Sequence, residues 1–367
     1  MSDRLRPLPL ERLVDWIADE LAAKGSILGI PRRLAFTPRP RDRFRTRIAA
    51  GALETPIGVA AGPHTQLAQN IVVAWLCGAR VIELKTVQTR DELEIPRPCI
   101  DMQDEGYNVE WSQELPVAQS FAEYLHAWVL IHALHRCLGF PGERPGVVFD
   151  VSVGYDLAGL RQPNMQWFLD SIADAGEAHA HAVAVVARRF PELRDLEVPR
   201  RLAASATLST MHGCPPEEIG AICGMLMAER GLHTAVKLNP TLLGPETVGE
   251  ILGPRLGYRG VELDAAAFEH DIRYPEALGL LTELQSEAAR RRLDFGVKLC
   301  NTLPVANRGR VFDPAERSMY LSGRPLHALA VTLADRLAED LAESIPMSFS
   351  AGADAGNVAA LLRCGMR

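Results

Sequence analysis

The chain has 367 residues and a formal net charge of −7. That length suits one large domain or two ordinary ones, and the mildly acidic balance argues against a general nucleic-acid or membrane surface. No apolar run approaches transmembrane length and the first residues lack the apolar core of a signal peptide, so a soluble, cytoplasmic protein is expected.

Leu10, Leu13, Val14, Ile17 and Leu21 recur at helical spacing, which predicts an N-terminal cap helix over 8–24. The basic run at 38–43 reads as a solvated linker, and 44–53 as a small hairpin. Residues 1–54 are therefore expected to form a cap helix and hairpin, and 55–367 a barrel. Ile57 to Ala61 is a short apolar run, the length of a strand buried on both faces, and it breaks at Ala61-Gly62-Pro63 into a helical pattern. A small-residue tip of this kind either brings backbone against a planar or phosphorylated ligand or makes a plain βα turn; this stretch alone leaves both readings open.

Strands are expected at 80–86, 147–152, 202–209, 234–238, 295–299 and 346–350, and helices at 117–138, 165–175, 178–190, 217–229, 276–292, 325–342 and 356–363. The stretch 88–116 is too long for a plain connection and reads as a candidate lid. Seven βα units in series, without an early Gly-x-Gly-x-x-Gly fingerprint, favour a TIM-type (β/α)8 barrel over a doubly wound sheet. An eighth strand is missing, which predicts unpaired edges on the first and seventh strands.

Seven scattered cysteines with no Cys-x-x-Cys pair fit reduced thiols and exclude a local iron–sulfur binding run; no metal site is expected. In a barrel of this type the site lies at the C-terminal strand ends. Ala60, Ala61, Gly62, Lys85, Thr86, Ser152, Thr207, Ser209, His212, Cys214, Lys237, Asn239, Lys298, Asn301, Thr302, Ser322, Gly323 and Gly352 fall there. Buried lysines need a counter-anion or a depressed pKa, and three of them (Lys85, Lys237, Lys298) point to an anionic ligand. His212 reads either as a helix cap or as an acid–base group. Cys214 reads either as an inert thiol or as one activated by a helix N-terminus.

Several motifs occur in the order seen in the dihydroorotate dehydrogenase superfamily of FMN-binding TIM barrels: Thr55-Pro-Ile-Gly-Val-Ala-Ala-Gly-Pro63, Ile82-Glu-Leu-Lys-Thr86, Thr207-Leu-Ser209, Val236-Lys-Leu238, Asn301-Thr302, Leu321-Ser-Gly323-Arg-Pro-Leu326 and Ile345-Pro-Met-Ser-Phe-Ser-Ala-Gly352. Gly62-Pro-His-Thr-Gln-Leu-Ala-Gln-Asn70 and Ser209-Thr-Met-His-Gly-Cys-Pro-Pro216 more specifically resemble the N-terminal barrel of large iron–sulfur flavoproteins that carry a selenate reductase label. The resemblance covers about residues 5–367.

It implies FMN at the barrel mouth. Ala60, Ala61 and Gly62 would pass under the isoalloxazine ring, and Lys85 and Thr86 would meet its polar edge. Thr207 would line the site, Lys237 would sit near N1 and O2, and Asn301 and Thr302 would hold substrate or ring. Ser322 and Gly323, with Ala351, Gly352 and Ala353, would cradle the phosphate. His212 or Cys214 would serve as the acid–base group while hydride moves between flavin and a small conjugated C=C, a CH–CH oxidoreductase reaction. Electrons would come through an iron–sulfur and dinucleotide-binding partner. Three departures stand out: the phosphate loop Ser350-Ala351-Gly352-Ala353-Asp354, where a Gly-Gly pair is usual and Asp354 brings negative charge, Asp150 where related strands often carry Asn, and the missing eighth strand. They leave two alternatives, a catalytically silent partner-binding barrel and a Schiff-base lyase using Lys85, Lys237 or Lys298.

Overall fold

Val148 to Val153 is rich in β-branched residues and almost wholly buried, as a central strand of a parallel sheet requires. In the computed structural model, which describes residues 5–366 apart from 44, 49–50, 92, 94, 103–104, 110–111, 211–213, 309–311 and 342–343, it is the third of seven parallel strands. These are β1 Gly58–Val59, β2 Val81–Glu83, β3 Val148–Val153, β4 Ala203–Ser209, β5 His233–Leu238, β6 Phe295–Leu299 and β7 Met347–Phe349. They lie side by side in chain order from β1 to β7, the arrangement of a TIM-type barrel left open between its last strand and its first.

The helices cover the outside: α1 Leu10–Lys24, α2 Ala68–Leu76, α3 Val117–Cys137, α4 Pro163–Ala173, α5 Gly176–Val186, α6 Ile219–Ala228, α7 Tyr274–Arg291, α8 Pro325–Asp340 and α9 Val358–Arg363. Prolines in the first turns of α4, α7 and α8 start helices where a missing N–H costs nothing. Gly25 ends α1 with φ of 63°, its N–H closing on the Leu21 carbonyl. The N-terminal helix buries Leu10, Leu13, Val14 and Ile17 and packs on α5, fastened by ion pairs from Arg189 to Asp15 and Asp19.

Two sequence expectations change here, the burial of the first strand and the lid, while the open seam is as expected. The first strand is not buried on both faces: Ile57 is 51 % exposed and Gly58 is exposed, because β1 pairs only with β2. Among the described residues nothing joins β7 to β1; Met366 alone makes a parallel bridge to Met347 on β7. The stretch 88–116 is no free lid. Its strands Ile100–Met102 and Glu105–Asn108 join Leu303–Ala306 and Ser318–Gly323 in a four-stranded antiparallel sheet. The segment between β5 and α7 also holds short helices at Pro245–Glu250 and Ala265–His270 that the periodicity did not single out.

Registers fix which side chains face inward. Gly58 pairs with Val81, Glu83 with Asp150, Thr207 with Ser152 and Ala235, and Lys237 with Lys298. Successive residues alternate faces, so the interior carries Gly58, Ala60, Glu83, Asp150, Ser205, Thr207, Ala235, Gly296, Lys298 and Ser348. Barrels of this type usually fill that space with bulky branched residues. Small and polar side chains leave instead a cavity of about 690 Å³, lined in part by β1 and β7 on either side of the seam. Gly58 is dictated by close approach: a Cβ there would lie 2.3 Å from the Val81 carbonyl oxygen.

Candidate functional site

The strand tip Ala60-Ala61-Gly62 is held by three local devices. Thr65 Oγ1 accepts from the Gly62 N–H at 3.2 Å, and the Thr65 N–H donates to the Gly62 carbonyl at 2.9 Å. The His64 ring folds onto Gly62 so closely that a Cβ would sit 2.7 Å from it. The Ala61 N–H donates to Glu83 Oε2 at 2.6 Å.

Glu83 is the centre of the interior. It is 1 % exposed. One carboxylate oxygen meets Lys237 Nζ at 3.0 Å and the other accepts from Lys298 Nζ. Burial alone would push its pKa up. The two lysines, with hydrogen bonds from Lys298 and the Ala61 amide, instead hold it at about 2. Burial depresses Lys298, and the attraction of Glu83 opposes this. Asp150 lies beside this group and accepts from Ser205 Oγ at 2.6 Å and Thr207 Oγ1 at 2.5 Å. Burial and the charge of Glu83 raise its pKa despite those bonds. The counter-anion that the lysine ring calls for is thus largely inside the protein for Lys237 and Lys298. Glu83 sits in the motif Ile82-Glu-Leu-Lys-Thr86, and two inward lysines on neighbouring strands were the signal that could have singled it out.

Lys85 is buried, and its N–H donates to the Thr65 carbonyl at 3.3 Å, tying β2 to the turn after β1. Thr86 Oγ1 and Ser152 Oγ share a hydrogen bond of 2.7 Å. Ser209, in register with Lys237, buries its hydroxyl without a hydrogen-bond partner among the described residues. Asn301 turns its amide inward, donating to Asn239 Oδ1 at 2.6 Å and to the Lys237 carbonyl at 3.2 Å. Asn239 in turn donates to Asp271. These contacts commit the Asn301 donors to the strand ends, and Thr302 follows it at the mouth.

Gly323 and Gly352 both have left-handed backbones, with φ of 80° and 72°. A Cβ on Gly352 would lie 3.6 Å from the Gly323 carbonyl, so the loops Ser322–Arg324 and Ala351–Ala353 adjoin. Gly352 and Ala353 also line the interior cavity with Ala60 and His64. Asp354, suspect from sequence for its charge, turns its carboxylate to its own loop: Oδ1 accepts from Gly356 N–H at 2.7 Å and Asn357 N–H at 3.1 Å.

Of the two readings of Cys214, the inert thiol fits the structure. Its thiol is not activated by the following helix; burial, then Glu218, Asp271, Asp156 and Glu217, push it up to about 12. His212 lies outside the described residues. Among the described residues no group of three or more His, Cys, Asp or Glu side chains could hold a metal ion, and no helix is long and apolar enough to cross a membrane.

Residues 28–367 match the family described as "Oxidoreductase YgfK, N-terminal TIM-barrel domain". The proteins named for the oxidoreductase YgfK in Escherichia coli strain K12 and in Escherichia coli O157:H7 are each 41% identical to this chain over 388 residues, covering 100% of it and 37% of their own length. The chain thus spans a little over a third of the length of these relatives. Among solved structures, a ligand-free DHODH from Eimeria tenella superposes with a TM-score of 0.53 at 15% identity, covering 97% of this chain and 86% of that one. That likeness concerns the fold.

Proposed function

Because the chain belongs to the family of the YgfK N-terminal TIM-barrel domain, we propose that its mouth binds FMN and that the barrel is the substrate-handling part of an oxidoreductase. The observation that carries this reading is the small-residue tip Ala60-Ala61-Gly62 held against a buried cluster in which one carboxylate faces two lysines. Such a tip admits a flat ring. A cluster of two cations and one anion suits a ligand that becomes anionic on reduction. The Ser209 hydroxyl, buried without a partner among the described residues, supplies a donor to a ring carbonyl. The adjoining loops at Gly323 and Gly352, both left-handed, form a turn of the kind that can cradle a phosphate. The residues therefore fit the group.

Lys237 and Ser209 would face the polar edge of the ring. Lys85 and Thr86 would close the opposite side, and Ser322, Gly323, Gly352 and Ala353 would hold the phosphate. FMN, when bound, supplies the hydride chemistry. The Cys214 thiol, pushed up to about 12, stays protonated at neutral pH and is poorly matched to proton transfer there. An electron-transfer partner with iron–sulfur and dinucleotide sites belongs to the same reading, because seven scattered cysteines offer no cluster-binding run.

Titration of the purified protein with FMN, followed by flavin fluorescence quenching and the visible spectrum, tests the reading. Saturable one-to-one binding, weakened about tenfold or more by Lys237→Met, is expected. A wild-type protein that takes up no FMN overturns the reading and leaves the partner-binding barrel in its place.

A further inference from the structure

Glu83 joins four parts of the barrel at one point. It accepts from the Ala61 N–H on the tip after β1, stands on β2, and pairs with Lys237 on β5 and Lys298 on β6. The lysines are register neighbours, so without the carboxylate two like charges would face each other out of water. Two lysines and one carboxylate leave one positive charge. We infer that Glu83 is the positioning residue of the mouth: it pairs with both Lys237 and Lys298, fixes the strand tip through Ala61, and so leaves the triad one net positive charge toward a ligand. The groups facing this triad are His64 and the Ala61 amide from the turn after β1 and Asp150 from β3, with Lys85, just past β2, acting on His64. Cys300, beside Lys237, completes the set.

The charge balance has its own signature. Burial already depresses Lys298 and Glu83 opposes it. Removing Glu83 while keeping a hydrogen-bond acceptor, as in Glu83→Gln, lets Lys298 fall further. A base whose folded pKa is depressed costs stability once it must be protonated, so stability then declines as pH falls from about 9 to about 7. Removing the surplus cation as well, in Glu83→Gln with Lys298→Met, returns the count to one positive charge.

Two measurements test the inference. Thermal melts of the ligand-free protein from about pH 7 to about pH 9 should be steeper in pH for E83Q than for wild type, and should return to the wild-type slope in the double variant. This arm needs no flavin. The second arm, resting on the FMN reading, is FMN titration over the same range. E83Q should tighten about tenfold toward pH 7, while wild type and the double variant change less than about threefold. A double variant that keeps the E83Q pH dependence, or that fails to fold, overturns the inference. A wild type that takes up no FMN overturns the FMN reading, and the melts still decide the role of Glu83.

Discussion

Arg80 and Glu54 form a second buried ion pair, and its logic differs from that of Glu83. Arg80 Nε donates to Glu54 at 2.5 Å, Nη1 donates to the Trp75 and Ala79 carbonyls, and the guanidinium lies over the Phe36 and Trp75 rings. Every contact is structural and lies below the mouth. Glu54→Gln leaves a buried cation without its anion, so unfolding free energy should drop by about 3–5 kcal/mol in denaturant titration. Asp150 makes a prediction of opposite sign. Burial and Glu83 raise its pKa. A carboxyl that binds its proton more tightly when folded contributes stability at low pH and loses it as pH rises through the folded value. Asp150→Asn fixes the neutral form, so its melting temperature should exceed wild type at neutral pH by roughly 1–2 °C, with the gap closing toward about pH 4. Glu83 runs the other way: its contribution is complete above its ordinary 4.5 and is lost as pH falls toward about 2. A melt series of wild type and D150N across acid pH separates the two, and an unchanged neutral-pH melt for D150N would count against the assignment.

At the scale of elements, the stretch 88–116 is pinned by amide side chains. Gln113 Oε1 accepts from the Gln88 N–H, Gln113 Nε2 donates to the carbonyls of Gln88 and Asp91, and Gln66 Oε1 accepts from the Glu114 N–H. These bonds hold backbone that belongs to no helix or strand, so their loss leaves buried polar groups unsatisfied. Gln113→Ala should lower stability by about 1–3 kcal/mol and speed amide hydrogen exchange between residues 88 and 116 before the rest of the chain. Uniform exchange in that variant would mean that the antiparallel sheet alone fixes the segment. Buried glutamines are invisible to periodicity, which is why the sequence suggests a lid where the structure has a fastened sheet. Apolar periodicity does locate the seven barrel strands and most of their helices, because one face of each must be buried against the next layer. It passes over Leu303–Ala306 and Ser318–Gly323, which are short and alternate in burial without forming an apolar run. The site was legible as a list of strand-end residues. Its organisation was not: Glu83 matters through lysines on distant strands, Asp150 through hydroxyls on the next strand, and only register brings Lys237 beside Lys298.

The whole molecule is a sheet that has curled without closing, and its two rims are unequal. On β7, Met347 already carries the parallel bridge from Met366. On β1, the strand is two residues long and Ile57 beside it is half exposed. An unpaired rim with an apolar side chain is a template for another strand, and shortness limits it. The magnitudes decide how far this goes. Fully burying an isoleucine side chain gives about 1.5–3 kcal/mol, so covering the exposed half of Ile57 gives on the order of 1 kcal/mol. Few backbone hydrogen bonds can be added along two residues, each about 1 kcal/mol net. A micromolar dimer needs about 8 kcal/mol. The chain should therefore be monomeric at micromolar concentration and self-associate reversibly only near millimolar concentration. Ile57→Lys should suppress that association without changing the far-ultraviolet spectrum, since the side chain already reaches solvent. Light scattering across a concentration series measures both. A stable dimer at micromolar concentration that survives Ile57→Lys would place the contact on another surface.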